Sequence, residues 1–251
     1  MSVFYRPRRT KNLYNPEDSK LFKLSRSKID LYLNCPRCFY LDRRLGVGRP
    51  PGFPFTLNNA VDALLKREFD RYRAAGGNHP LIEQYGVDAR PVPHTDLEAW
   101  RNNFTGIRYL DEEHNFLVFG ALDDLWQNSS GDYIVVDYKA TARSERITEL
   151  NKEWHIGYKR QMEVYQWLLR KKGYPVNDRG YFLYCNGRVD RDGFDGRLEF
   201  DMTLIPYNGD DSWVDGTLGA IQHCLNSDMI PPGGEDCDYC GYIDAVKSVV
   251  E

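Results

Sequence analysis

No stretch of this 251-residue chain approaches eighteen consecutive apolar residues, which excludes a membrane-spanning helix. The opening Met1-Ser2-Val3-Phe4-Tyr5-Arg6-Pro7-Arg8-Arg9 lacks the apolar run of a secretory signal peptide, so a cytoplasmic chain with reduced thiols is expected. A strong charge of one sign is missing too: the formal net charge is only -4, too little to announce a nucleic-acid partner by itself. There is no internal repeat and no low-complexity segment. Histidine is scarce, and His114, His155 and His223 stand isolated, as structural hydrogen-bonded histidines do. What remains is an ordinary globular composition, 41% hydrophobic and rich in tyrosine, long enough for one sizeable core with an appended subdomain.

Charge is unevenly placed. Residues 1–50 hold twelve Lys or Arg against four Asp or Glu, so the remainder is acidic by about twelve charges. Such a basic start can attract phosphate, or be merely solvated. After it, Ser25 is placed to cap a short helix over 27–34, Pro36 ends or redirects that helix, and 46–54 reads as a loop. Residues 55–75 have amphipathic helical spacing through Leu57, Val61, Leu64, Leu65, Phe69 and Tyr72, stopped by Gly76-Gly77. Strand-like runs follow at 107–109, 115–127 and 133–138, with Asn128-Ser129-Ser130-Gly131 as a turn. A helix is expected over 155–172, strands at 180–185 and 197–204, and a last helix at 212–226.

Two of those strand runs end on carboxylates. Gly120-Ala121-Leu122-Asp123 closes the first, and fourteen residues later Ile134-Val135-Val136 leads into Asp137-Tyr138-Lys139. Residues two apart on a strand share a face, so Lys139 points with Asp137, and a meander brings Asp123 and Asp137 onto adjacent strands. Two carboxylates can hold Mg²⁺ or Mn²⁺, which prefer oxygen ligands, while an ammonium group sits beside the attacking water or a scissile phosphate. The neighbouring Asp124 faces the other side of its strand and reads as structural. Gln161 and Tyr165 are four apart, hence on one helix face, able to steady the lysine, the water or a phosphate.

In this order these elements resemble the PD-(D/E)XK nuclease superfamily, and within it the RecB-like exonuclease branch that includes the iron-sulfur CRISPR-associated nucleases. The matching residues are the GxxD ending at Asp123, the DxK of Asp137 to Lys139, the QxxxY from Gln161 to Tyr165, and Leu24-Ser25-Arg26-Ser27 leading to Cys35-Pro36. The resemblance implies a restriction-endonuclease-like α/β core, a central mixed β-sheet flanked by helices. It implies a single nuclease domain over 1–251, with an extended basic start (1–23), a helical segment (24–77), a catalytic core (107–205) and a C-terminal helix (206–251). The backbone carbonyl of Tyr138 would add a third oxygen to Asp123 and Asp137. Where the branch often has GxxxH this chain has Asn58-Asn59-Ala60-Val61-Asp62, which puts Asp62 at the position of a further metal ligand. The function implied is metal-dependent hydrolysis of DNA, single-stranded or at duplex ends, from an end, in repair, defence or CRISPR-type processing. The alternative is a catalytically inactive nucleic-acid-binding or scaffold protein on the same fold. Arg26, Lys28, Arg37, Arg43 and Arg44 are the basic residues expected near the DNA backbone.

Six cysteines complete the inventory. Cys35 and Cys38 form one CxxC, and Cys237 and Cys240 another. Spacing of this kind lets both sulfurs of a turn face one ion or cluster. The resembling branch joins one early and three late cysteines around a 4Fe-4S cluster; this chain has two and two, so a 4Fe-4S cluster and Zn²⁺ are both open. Cys185 and Cys224 read as ordinary packing residues.

Overall fold

A computed structural model describes residues 8–52, 54 and 56–250. β1 (Phe22–Ser25) runs directly into α1 (Arg26–Asn34), with Ser25 at the N-cap position. Pro36 then starts a helix as well as ending one: α2 (Pro36–Arg43) opens on it, because a first-turn residue needs no N–H. α3 (Thr56–Ala75) follows; Phe55, which the spacing includes in that helix, and residues 1–7 of the basic start lie outside the described residues. Next come α4 (Pro80–Gln84), β2 (Arg90–Pro91), α5 (Leu97–Arg101) and β3 (Ile107–Asp111). The continuous run expected at 115–127 divides into β4 (Phe116–Gly120) and β5 (Asp124–Gln127), and β6 (Tyr133–Thr141) extends beyond Lys139. A 3₁₀ turn at Glu153–His155 leads into α6 (Ile156–Lys171), then β7 (Arg179–Gly187), β8 (Phe200–Asn208) and α7 (Trp213–Asn226). α7 is not the last helix, since α8 (Asp238–Val250) begins one residue after Cys237.

The described residues form two compact units. One takes the chain up to Gly52, Arg108–Phe119 and the residues from Ser212 onward; the other takes those between Pro54 and Ile107 and Gly120–Asp211. The second holds a five-stranded mixed sheet in the order β2-β5-β6-β7-β8, antiparallel throughout except for β6 and β7. Parallel neighbours need a long crossover, and α6 supplies it. β6 is central because Ile134, Val135 and Val136 are β-branched and buried on both faces. Leu65 and Phe69 of α3 pack on one face with Trp126, Val136, Tyr138 and Leu183, while Leu57 and Leu64 of the same helix stay exposed. Fully buried side chains such as Phe69 each contribute about 1.5–3 kcal/mol of transfer free energy. On the other face, α6 approaches β7 so closely that a Cβ at Gly180 would lie 2.5 Å from Met162 Sδ.

The break between β4 and β5 creates the bend at Asp123. Gly106 has φ +58°, and a Cβ there would lie 2.5 Å from the Gly120 carbonyl oxygen, so only glycine lets the two segments meet. Gly106→Ala is expected to destabilise by about 1–3 kcal/mol, read as a lower denaturant midpoint at unchanged m-value.

In the first unit a three-stranded sheet has the order β1-β4-β3, with β1 parallel to β4 through Phe22↔Phe116 to Ser25↔Phe119. Asp42, almost fully buried, gathers Arg9 at 3.0 Å, Lys28 at 2.7 Å and Arg43 at 3.2 Å. Among the described residues, no helix is long and apolar enough to cross a membrane.

Candidate active site

The alternation of β6 sorts its three critical residues. Tyr138 turns toward α3, into the cluster with Phe69 and Trp126. Asp137 and Lys139 turn to the face covered by α6, where the Lys139 ammonium pairs with the fully buried Asp137 carboxylate. Lys139 Nζ also donates to Gln161 Oε1 at 3.3 Å and lies 4.4 Å from the Tyr158 ring centroid. Gln161 Nε2 in turn donates to the Tyr165 hydroxyl at 3.0 Å. One helical turn of α6 therefore fixes the lysine through a carboxamide whose own orientation is set by a phenol.

Asp123 stands at the bend just ahead of β5 instead of inside a strand as the sequence suggests. The β5–β6 ladder begins with Asp124↔Val136, so Asp123 sits one step beyond it, at the level of Asp137. Its Oδ2 accepts from Tyr138 N–H at 2.9 Å, and its carbonyl accepts from Arg101 Nε at 2.9 Å. From α3, Lys66 Nζ lies 3.3 Å from Asp123 Oδ1 and 2.8 Å from Asp62 Oδ2. Asp62, Lys66, Arg101, Asp123, Tyr138 and Lys139 line one cleft of about 320 Å³. A larger cleft of about 790 Å³, lined in part by Asp88, Asn128, Asp178 and Asn208, gathers none of these residues.

Burial, together with the charge of Asp123, pushes the Asp62 carboxyl above its ordinary range. Burial opposes the charge of Lys66, but Asp123 and Asp62 outweigh it and raise its pKa. The ammonium thus occupies a point where two carboxylates already stabilise positive charge. A hard-oxygen donor set with a cation bridging two of its members fits a divalent ion of the Mg²⁺ or Mn²⁺ type. Asp62, Asp123 and Asp137 are not, however, drawn into one tight group. Among the described residues, the sets whose ligand atoms all lie within 4.8 Å are Cys35, Cys38, Cys237 and Cys240, and Asp111, Glu113 and His114.

Asp124 has a different environment from its neighbour. It is fully buried and accepts from Arg101 Nη2 at 2.7 Å, Trp126 Nε1 at 3.0 Å, the Tyr138 hydroxyl at 2.8 Å, and Arg73. Arg101 and Arg73 both continue to Asp70. Burial and the Asp124 charge hold the Tyr138 phenol well above its usual range, so it stays a hydrogen-bond donor. Sequence reasoning missed Lys66 and Arg101. Only Lys66 left a signal, its i+4 spacing from Asp62. Tyr184, paired in register with Lys139, was also missed; its buried hydroxyl has no hydrogen-bond partner among the described residues.

In the other unit the cysteine pairs converge. Cys35 caps α2, and its Sγ accepts from Cys38 N–H at 3.4 Å and Gly234 N–H at 3.2 Å. Burial raises the Cys35 thiol, but these backbone donors outweigh it and bring it down to about 6. Cys185 and Cys224 remain apart from the group. Of the basic residues expected along DNA, Lys28 and Arg43 are committed to Asp42, Arg37 to Asp244 and Arg44 to Asp228; Arg26 has no ion pair among the described residues.

Residues 23–245 match the PD-(D/E)XK nuclease superfamily. No curated protein matches the chain. With the match spanning most of the sequence, the chain belongs to the PD-(D/E)XK nuclease superfamily.

Proposed function

We propose that the chain is a divalent-metal-dependent deoxyribonuclease of the RecB-like kind that hydrolyses DNA phosphodiester bonds from an end, as repair, defence or CRISPR-type processing requires. The observation that carries this reading is Lys139, paired with the buried Asp137, anchored on Gln161 and lining one cleft with Asp123 and Asp62. Asp62, Asp123, Asp137 and the Tyr138 carbonyl would hold Mg²⁺ or Mn²⁺. Such an ion supplies Lewis-acid polarisation of the scissile phosphate and a more acidic water. Lys139 sets its ammonium where negative charge grows on the phosphoryl oxygens. Gln161 and Tyr158 hold that ammonium in place.

One observation favours the alternative of an inactive nucleic-acid-binding protein: Lys66 bridges Asp62 and Asp123 and competes with a metal for both. End-labelled single-stranded and duplex DNA incubated with the purified chain and Mn²⁺ separates the readings. The proposal expects products shortening progressively from one end and none in EDTA. DNA bound but uncut at every Mn²⁺ concentration would establish the alternative.

A further inference from the structure

The four-cysteine site and its sulfur spacings do not fit the iron-sulfur cube that the family resemblance brings with it. We infer that Cys35, Cys38, Cys237 and Cys240 form a cage for a single tetrahedral ion, Zn²⁺. Sγ of Cys35 lies 3.6 Å from that of Cys240, and Sγ of Cys38 lies 3.6 Å from that of Cys237 and 3.7 Å from that of Cys240. All four sulfurs lie within 4.8 Å of one another. Zinc–thiolate bonds of about 2.3 Å at tetrahedral angles put the sulfurs about 3.8 Å apart, which is the spacing found. A four-iron cube binds each thiolate to a different corner iron and points it outward, so its sulfurs stand apart by the width of the cube plus two outward Fe–S bonds. No such cube fits inside sulfurs this close.

A disulfide is excluded by the same distances, since a bonded pair lies about 2.05 Å apart, and all six cysteines are free. Four unrelated thiols are a poor description as well. The sulfurs are met by donors suited to thiolates: Gly234 N–H and Cys38 N–H on Cys35, and Arg49 Nη2 on Cys237 at 3.2 Å. Backbone is packed onto the cage without room for side chains, because a Cβ at Gly233 would lie 3.0 Å from Cys240 Cβ, and one at Gly234 would overlap the Asn34 carbonyl. One divalent ion in four thiolates leaves a charge of minus two, toward which the Arg49 guanidinium is directed. Zn²⁺ takes this geometry without redox chemistry, and binding displaces whatever protons the thiols retain. The site is then a closed structural one that joins the start of α2 to the start of α8.

The test uses the full chain, produced with excess iron and purified without air, so that zinc cannot enter merely because iron was scarce. Elemental analysis should find one zinc per chain, with neither iron nor acid-labile sulfide. A mercurial thiol reagent followed with a zinc-sensitive dye should release that zinc as the four cage thiols react. Cys224→Ser should keep one zinc per chain and Cys240→Ser should lose it. Brown protein with four irons and four sulfides would overturn the inference, as would one iron without sulfide, metal-free protein, or zinc lost from Cys224→Ser. None of these readouts depends on nuclease activity, so this inference and the proposed function fail separately.

Discussion

An Asp137→Asn variant is expected to cut DNA about 10²–10³-fold more slowly than the parent at saturating Mn²⁺, the scale seen when one preorganised electrostatic contact to a developing charge is removed. The amide keeps the shape of the carboxylate but gives up the charge that pairs with Lys139 and would hold the ion. Lys139→Met should lose about 10²–10⁴-fold, because methionine fills the same space beside Gln161 and Tyr158 without carrying charge or a proton. Folding should survive both changes, since asparagine and methionine keep the space of the side chains they replace and β6 stays hydrogen-bonded to β5 and β7. Initial rates on end-labelled DNA, with circular dichroism as the folding check, decide the matter. Activity within about threefold of the parent in either variant, while cleavage by the parent remains metal-dependent, would remove the pair from the reaction.

Much of this site could be read before any coordinates. The β-branched run before Asp137 marks a buried strand, the period of two then puts Lys139 beside Asp137, and the period of 3.6 puts Gln161 and Tyr165 on one face of α6. Those are local rules, and local rules carry over. The break at Asp123 was not readable, because Phe116 to Gln127 is uniformly strand-like; the chain leaves one sheet and enters another there on account of Gly106, seventeen residues upstream. Lys66 was passed over for a similar reason. Its partner Asp62 lies one turn away, but its second partner, Asp123, is 57 residues distant in sequence. α2 escaped notice because a proline inside an apolar pattern normally argues for an end, and only the N–H accounting of a first turn makes it a beginning. Basic residues show what composition leaves out. Their local excess is real, yet the buried carboxylate of Asp42 absorbs three of them, which composition cannot reveal.

Two adjacent aspartates should respond to substitution in opposite ways. Asp124→Ala is expected to lower stability by about 3–5 kcal/mol, the scale for removing one partner of a buried ionic group and stranding the other. An indole N–H and a phenol lose their acceptor and two guanidiniums lose one of theirs, at a site that water does not reach. Asp123→Ala should change stability by less than about 1 kcal/mol, because its side chain is about one-fifth exposed and solvent can take over the bond from Tyr138 N–H. Its cost should fall on cleavage instead, by about 10²–10³-fold. The bend at Asp123 is what separates the two roles: one residue earlier the carboxylate reaches the cleft, and one residue later it is sealed beneath the sheet by Arg73 and Arg101. Urea unfolding of both variants beside their cleavage rates measures the division. Equal stability losses at the two positions would mean that Asp123 belongs to the same structural network as Asp124, leaving Asp137 and Lys139 to account for the chemistry.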